Sequence, residues 1–162
     1  MNTNKFSLLK FKADTRSKLL KIQDALIEAG IDTPLQLKLA LAQVLYETGQ
    51  FTSKSSVAKL NNNYSGIKWI NKPYQKATKG SPVPAREGKR NDPNYPLNYY
   101  AKFATDADWA ADFIRILSLG ANKPIEADNV EEYVNRLKAN RYFSGDINSY
   151  KKNVRFFFDK ID

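Results

Sequence analysis

Histidine and cysteine are both absent from the 162 residues, and the two gaps remove much of ordinary enzyme chemistry. Without cysteine there is no disulfide and no thiolate to hold a metal or attack a substrate. Without histidine there is no Ser-His-Asp or Cys-His hydrolase, no zinc-bound water on histidine ligands and no phosphohistidine. Proton transfer must come from carboxylates, tyrosines or lysines. No apolar run approaches membrane-spanning length, so no transmembrane segment is expected. The stretch from Met1 to Lys18 holds neither the apolar core nor the small-residue cleavage site of a secretory signal. A protein made in the cytoplasm and carried to any outside target by another system is expected.

Positive charge is abundant: 26 Lys and Arg face 17 Asp and Glu, for a net charge of +9. That balance suits an anionic partner, nucleic acid or the acidic polymers of a bacterial envelope. It equally suits a basic solvated surface with no specific partner. The length fits one core, and neither a repeat nor a linker divides the chain, so residues 1–162 read as a single domain.

The apolar periodicity is helical. Leu19, Leu20, Ile22, Leu26 and Ala29 form a stripe over residues 14–29, and Gly30 follows as a stop. Thr33 and Pro34 open a second helix that Gly49 closes. Leu35, Leu37, Leu39, Ala40, Leu41, Val44 and Leu45 make it apolar almost all round, the mark of a buried central helix. Residues 50–68 read as irregular or briefly helical. Between Trp69 and Tyr100 fall five of the seven prolines, with many Lys, Arg and Tyr. This stretch reads as a long loop, with room for a small β-hairpin, laid over one face. Helices resume at Thr105, capped with Asp108, then at Asp128 with Glu131, and finally at Asp146. The Phe156-Phe157-Phe158 run is expected in the core, anchoring the last helix. The fold class is mainly α.

Glu47 is the residue that raises a question. It sits in the last turn of the apolar helix, where the helix dipole is negative and an anion is disfavoured. A carboxylate frayed into water is one reading. The other is an acid at the edge of the core, its pKa raised by desolvation and by the helix end until it can donate a proton near neutral pH. Farther on, Asn61, Asn62 and Asn63 precede Tyr64, Gly66, Lys68 and Trp69. Amides and flat rings together suit sugars, though each alone is ordinary turn chemistry.

The segment from Glu47 to Trp69, with Glu47-Thr48-Gly49, Phe51 and Ser53 followed by Asn62-Asn63-Tyr64-Ser65-Gly66-Ile67-Lys68, resembles the catalytic segment of the glucosaminidase-type peptidoglycan hydrolases, glycoside hydrolase family 73. The stretches from Phe103 to Leu117 and from Asn140 to Val154 are similar to later segments of that family, with Tyr142 at an aromatic position. The resemblance implies a single lysozyme-like α-helical domain with a loop or β-hairpin over the cleft. It also implies cleavage of β-1,4 glycosidic bonds after N-acetylglucosamine in peptidoglycan, with Glu47 as general acid. Gln50 and Thr52 depart from the family's usual Gly-Trp-Gly run around Phe51.

The family's second carboxylate lies in a variable hairpin, which here falls within residues 70–98. Glu87 is the only Glu there and Asp92 the only Asp. Glu87 is the expected partner, held ionised by Arg86, Lys89 and Arg90, or else a surface charge among them. Tyr142 either orients the substrate's acetamido group or a water, or packs in the core. Asn62, Asn63, Tyr64, Gly66, Lys68, Trp69 and Tyr100 are the expected substrate contacts, with Tyr99 a further candidate aromatic.

A hydrolase is therefore expected, monomeric, acting on peptidoglycan glycan strands without cofactor or metal and with no nucleic-acid partner. The start of the chain suits a phage lysin or virion-associated enzyme. Two other classes stand beside it. One is a glycan-binding module that keeps the cleft without turnover. The other is a nucleic-acid binder, favoured by the charge and by the interleaved lysines and aromatics between Lys68 and Gly80.

Overall fold

The structure, a computed structural model, describes residues 5–52, 56–84 and 98–162. Six helices and one strand pair follow in the order α1 (Ala13–Glu28), α2 (Pro34–Glu47), α3 (Ser56–Asn61), β1 (Ala77–Pro82), β2 (Tyr99–Phe103), α4 (Asp106–Leu117), α5 (Val130–Ala139) and α6 (Ile147–Lys160), with a short 3-10 turn at Pro124–Glu126. Among the described residues no helix is long and apolar enough to cross a membrane.

Helix α2 is the axis of the core. Eight of its residues, Leu37 and the unbroken run from Leu39 to Leu45, are buried. The capping chemistry that starts it is local: Thr33 Oγ1 accepts from the Gln36 N–H at 3.2 Å, and Pro34 supplies a preset φ. Around α2 pack the amphipathic helices, α6 directly against it and α5 against α6, with α1 touching both α2 and α4. The same core takes in Trp109 and Phe113 from α4, Tyr133 and Val134 from α5, and Val154 from α6. The segment before α1 is tied to the residue after α6: the Ser7 N–H donates to the Asp162 carbonyl at 3.1 Å.

Caps decide the helix starts. Thr105 accepts from the Asp108 N–H and donates its hydroxyl to Asp108 Oδ2, and Asp146 accepts from the Ser149 N–H. At α5 the cap is Asn129, which accepts from the Glu132 N–H at 2.9 Å, and not Asp128. Asp128 gives its own N–H to Glu132 Oε2, so the box is shifted by one residue. The aromatic run on α6 also differs from expectation. Phe157 is buried, Phe158 half-buried and Phe156 59% exposed. Three consecutive positions span more than half the circumference of a helix, so one of them had to face water.

The stretch expected to be a loop with room for a small β-hairpin contains β1 and the start of β2. β1 runs antiparallel to β2, with Ala77 opposite Phe103 and Lys79 opposite Ala101, and a bulge before Pro82 meets Tyr99. Gly80 has no room for a side chain: an added Cβ would meet Asn61 Oδ1 at 2.4 Å and the Tyr100 carbonyl at 2.7 Å. On the other edge of β2 lies the segment after α3. Ala101 N–H donates to the Ile67 carbonyl at 2.9 Å and Trp69 N–H to the Tyr99 carbonyl at 2.8 Å. This strap places Gly66 and Lys68 beside the end of α2.

Candidate active site

Helix α2 stops abruptly after Glu47. Thr48 turns its hydroxyl back onto the Val44 carbonyl at 2.7 Å, and Gly49, Gln50 and Phe51 then take φ values of 54°, 58° and 58°. Three left-handed residues in a row are costly for Gln50 and Phe51, on the order of 1 kcal/mol each. The turn is held by the Gln50 N–H on the Leu45 carbonyl, by Thr15 Oγ1 on the Gln50 carbonyl and by Phe51 edge-on to Tyr64. The chain is thereby turned sharply at the helix end, and Glu47 remains exposed on the last turn, facing a cleft.

That cleft has a volume of about 690 Å³, with Glu47 beside Ser65, Gly66, Tyr100, Tyr142 and Tyr150. A second hollow of about 570 Å³ shares Tyr46, Lys68, Arg141, Tyr142, Phe143 and Tyr150 with it. The two adjoin as one continuous groove.

The Glu47 carboxyl is gripped from two helices, with a third behind one of the grips. Tyr150 of α6 donates to Oε1 at 2.6 Å, and Gln43, one turn back on α2, donates to the same oxygen at 3.4 Å. Gln43 is buried and is itself oriented by the Tyr133 hydroxyl of α5, which donates to its amide oxygen at 2.5 Å. Tyr150 is stacked on Phe143 at 4.0 Å and meets Tyr46 edge-on at 4.9 Å. Among the described residues both hydrogen bonds fall on Oε1. Oε2 lies over Gly66, where an added Cβ would stand 3.7 Å away.

Burial by the cleft walls pushes the Glu47 pKa up from 4.5 to about 7, against the opposing pull of the Tyr150 and Gln43 hydrogen bonds. Exposure and desolvation coexist here because the residue opens onto a walled cleft and not onto bulk water. The tyrosines around it are raised as well. For Tyr100, Tyr133, Tyr142 and Tyr150 burial is the first cause and the Glu47 charge the second. They stay neutral, and Tyr133, Tyr142 and Tyr150 act as hydrogen-bond donors. The arrangement is a carboxylic acid that keeps its proton near neutral pH, reachable from a groove, with a fixed orientation. Among the described residues no three metal-ligating side chains come together.

The expected site residues separate into two sets. Glu47, Gly66, Lys68, Tyr100 and Tyr142 all line the cleft. Tyr142 donates its hydroxyl to the Ser65 carbonyl at 2.5 Å, so it holds the cleft wall. Asn62, Asn63, Tyr64 and Trp69 are placed outside it. Asn63 is buried and fully occupied: its amide donates to the Ile67 and Ala101 carbonyls and accepts the Ile67 N–H. Asn62 donates to the Phe103 carbonyl, and Tyr64 is buried with its hydroxyl on Asp106; both line a separate pocket of about 400 Å³ beside Phe51 and Lys18. Trp69 is half-buried, and Lys79 Nζ lies 5.9 Å from its ring and 4.0 Å from that of Tyr99. Glu87, Asp92 and Ser53 lie outside the described residues.

Four contributors were not singled out from sequence. Gln43 had a signal, a lone amide in an apolar stripe exactly one helical turn before Glu47. Tyr150, Arg115 and Arg141 had none beyond their helix or turn positions. Asp146 lines the adjoining groove but is committed as the α6 cap. No protein-family model, curated protein or solved structure matches the chain.

Proposed function

We propose that the groove is the active site of a glycoside hydrolase that cleaves β-1,4 bonds after N-acetylglucosamine in peptidoglycan, with Glu47 as the general acid. The observation that carries this is the state of Glu47: an accessible carboxyl at a cleft, gripped on one oxygen and held with a pKa of about 7. A glycosidic oxygen is a poor leaving group until protonated, and an acid poised near the working pH supplies that proton best. The cleft continues into the adjoining hollow, which suits a polymer, and the partly buried rings of Tyr46 and Phe143 beside it suit the apolar faces of sugar rings. The two motif stretches that resemble the glucosaminidase family also meet here, since Glu47 from one and Gly66 and Lys68 from the other line the same cleft. On this reading a mainly α, lysozyme-like catalytic domain acts on the cell wall, as a phage-type lysin would.

The contacts on Glu47 support a simple account of the proton transfer. Tyr150 and Gln43 fix the carboxyl through Oε1, which leaves Oε2 to carry the proton toward the leaving oxygen. As the bond breaks Glu47 becomes anionic and the Tyr150 and Gln43 donors strengthen onto it; water adds to the anomeric carbon, and the proton it releases restores the acid for the next cycle. The test is digestion of purified peptidoglycan followed by reduction and mass spectrometry of the products. Wild type is expected to release reducing-end N-acetylglucosamine, and Glu47→Gln to lower the rate by about a hundredfold or more while keeping its fold. Wild-type lysis by the variant would reject the assignment.

A further inference from the structure

Three cations line the cleft, Lys68, Arg115 and Arg141, against the single carboxylate of Glu47 among the described residues. Arg115 is the one held rigid. Its Nε donates to Asp112 Oδ1 at 2.6 Å, and its guanidinium carbon lies 5.1 Å from the centroid of the Tyr74 ring. Asp112 is only 3% exposed, and its other oxygen accepts from Gln75 at 2.9 Å. Gln75 is buried too and ties itself to the Lys68 carbonyl and the Ile70 N–H. Arg115 is thus anchored, through two buried side chains, to the strap that forms the cleft wall.

The anchoring uses only part of the guanidinium. A buried carboxylate is satisfied best by a bidentate arginine, yet Asp112 takes Nε alone. Among the described residues Nη1 and Nη2 of Arg115 make no hydrogen bond. Other arginines of the fold behave differently. Arg136 gives both terminal nitrogens, to the Lys123 carbonyl and to Glu132, and Arg155 grips Glu131 through Nε and Nη2. With its side chain 29% exposed, Arg115 presents an oriented, half-used fork at the cleft.

We propose that Arg115 is a specificity-determining residue that receives a carboxylate of the substrate, so that the groove prefers carboxylate-bearing glycans to neutral ones. The proposal rests on the glycan-cleaving reading of the groove. A planar fork matches a carboxylate geometrically, and one already immobilised in the free protein loses little freedom on binding. Asp112 cancels the charge of Arg115 at long range. The attraction that gathers anions therefore comes from Lys68 and Arg141, and the part left to Arg115 is local and directional. Peptidoglycan carries such carboxylates on the peptide arms of its sugars, whereas a plain N-acetylglucosamine polymer carries none.

The test compares soluble peptidoglycan fragments in native form with the same fragments after carbodiimide coupling of their carboxyls to methylamine. For wild type, the coupling is expected to raise KM about ten- to a hundredfold, the loss typical of charge-assisted hydrogen bonds, with the effect on KM and not on kcat. Arg115→Gln should already show the raised KM on native fragments and no further rise on coupled ones. Because that variant strands the Asp112 charge, the double variant Asp112→Asn/Arg115→Gln is run beside it and should behave the same. Equal sensitivity to coupling in wild type and both variants, or none in wild type, overturns the proposal. If wild type cleaves neither fragment, the hydrolase reading fails instead, and calorimetric Kd values for the same fragments and variants decide Arg115 by the same criteria.

Discussion

Replacing Glu47 by Gln should make the protein more stable at alkaline pH and leave it unchanged at acid pH. In the folded chain burial raises the Glu47 pKa from 4.5 to about 7. Between those two values the native state holds a proton that the unfolded chain has released. Stability therefore falls as pH climbs through this window and levels off above it. Full conversion of the shift would amount to about 3 kcal/mol of destabilisation once Glu47 is ionised. The residue opens onto solvent in the cleft, so screening lowers the expected effect to on the order of 1 kcal/mol. For a chain of this size that is roughly 2–4 °C in Tm. Gln keeps the shape and its Oε1 still accepts from Tyr150 and Gln43, so the titration is the main thing removed. The window is quiet because the chain has no histidine. The assay is thermal unfolding by circular dichroism of both proteins from about pH 4 to about pH 8, read as the difference between them at each pH. A difference that stays flat, or a variant that loses ground as pH rises, would refute the desolvation argument.

Other expectations follow from the same contacts. Tyr150→Phe removes a hydrogen bond that lowers the Glu47 pKa, so the alkaline limb of the kcat–pH profile should move to higher pH; a limb that moves down would contradict the assigned roles. Asn63→Ala leaves the buried Ile67 N–H without its acceptor and takes a donor from the Ala101 carbonyl, while the Ile67 carbonyl keeps the Ala101 N–H, and a loss of roughly 2 kcal/mol in urea unfolding is expected. On the proposed glycan-cleaving reading, added salt should slow lysis of whole walls more than cleavage of short soluble glycans, because the net charge of +9 acts on encounter and not on bond breaking; equal sensitivity in turbidity and soluble-product assays would remove that role.

The helices were legible in the sequence because their determinants are local. Thr33, Thr105 and Asp146 each announce a start, and each caps in the structure within three residues of its own position. The misjudged start at α5 shows the limit of such signals: Asp128 and Asn129 are both good acceptors, and only the path of the backbone chooses between them. The strand pair was barely legible. β1 reads ATKGSP, with no alternation of apolar and polar residues, and its partner β2 follows only after the intervening residues 83–98. Its place comes from non-local packing, with Gly80 against Asn61 and the Tyr100 carbonyl. Asn63 was expected to touch a ligand for the same reason. Its chemistry suits a sugar and a backbone clasp equally, and the Ala101 carbonyl that claims it lies 38 residues away.

Glu47 itself shows what local reasoning captures and what it misses. Its place at the end of an apolar helix left two readings open, a carboxylate frayed into water or an acid with a raised pKa, and burial, the larger influence on it, favours the second. What holds the carboxyl in one orientation came from elsewhere, from Tyr150 at a separation of 103 residues and from Tyr133 acting through Gln43 at a separation of 90. Those donors belong to α6 and α5, whose packing against α2 and against each other builds the core. The grip on the acid is therefore a consequence of core packing and not a loop feature added to it. Substitutions of buried residues on α5 and α6, such as Val134 or Val154, would then loosen the acid as well as the fold, although neither residue lines the cleft.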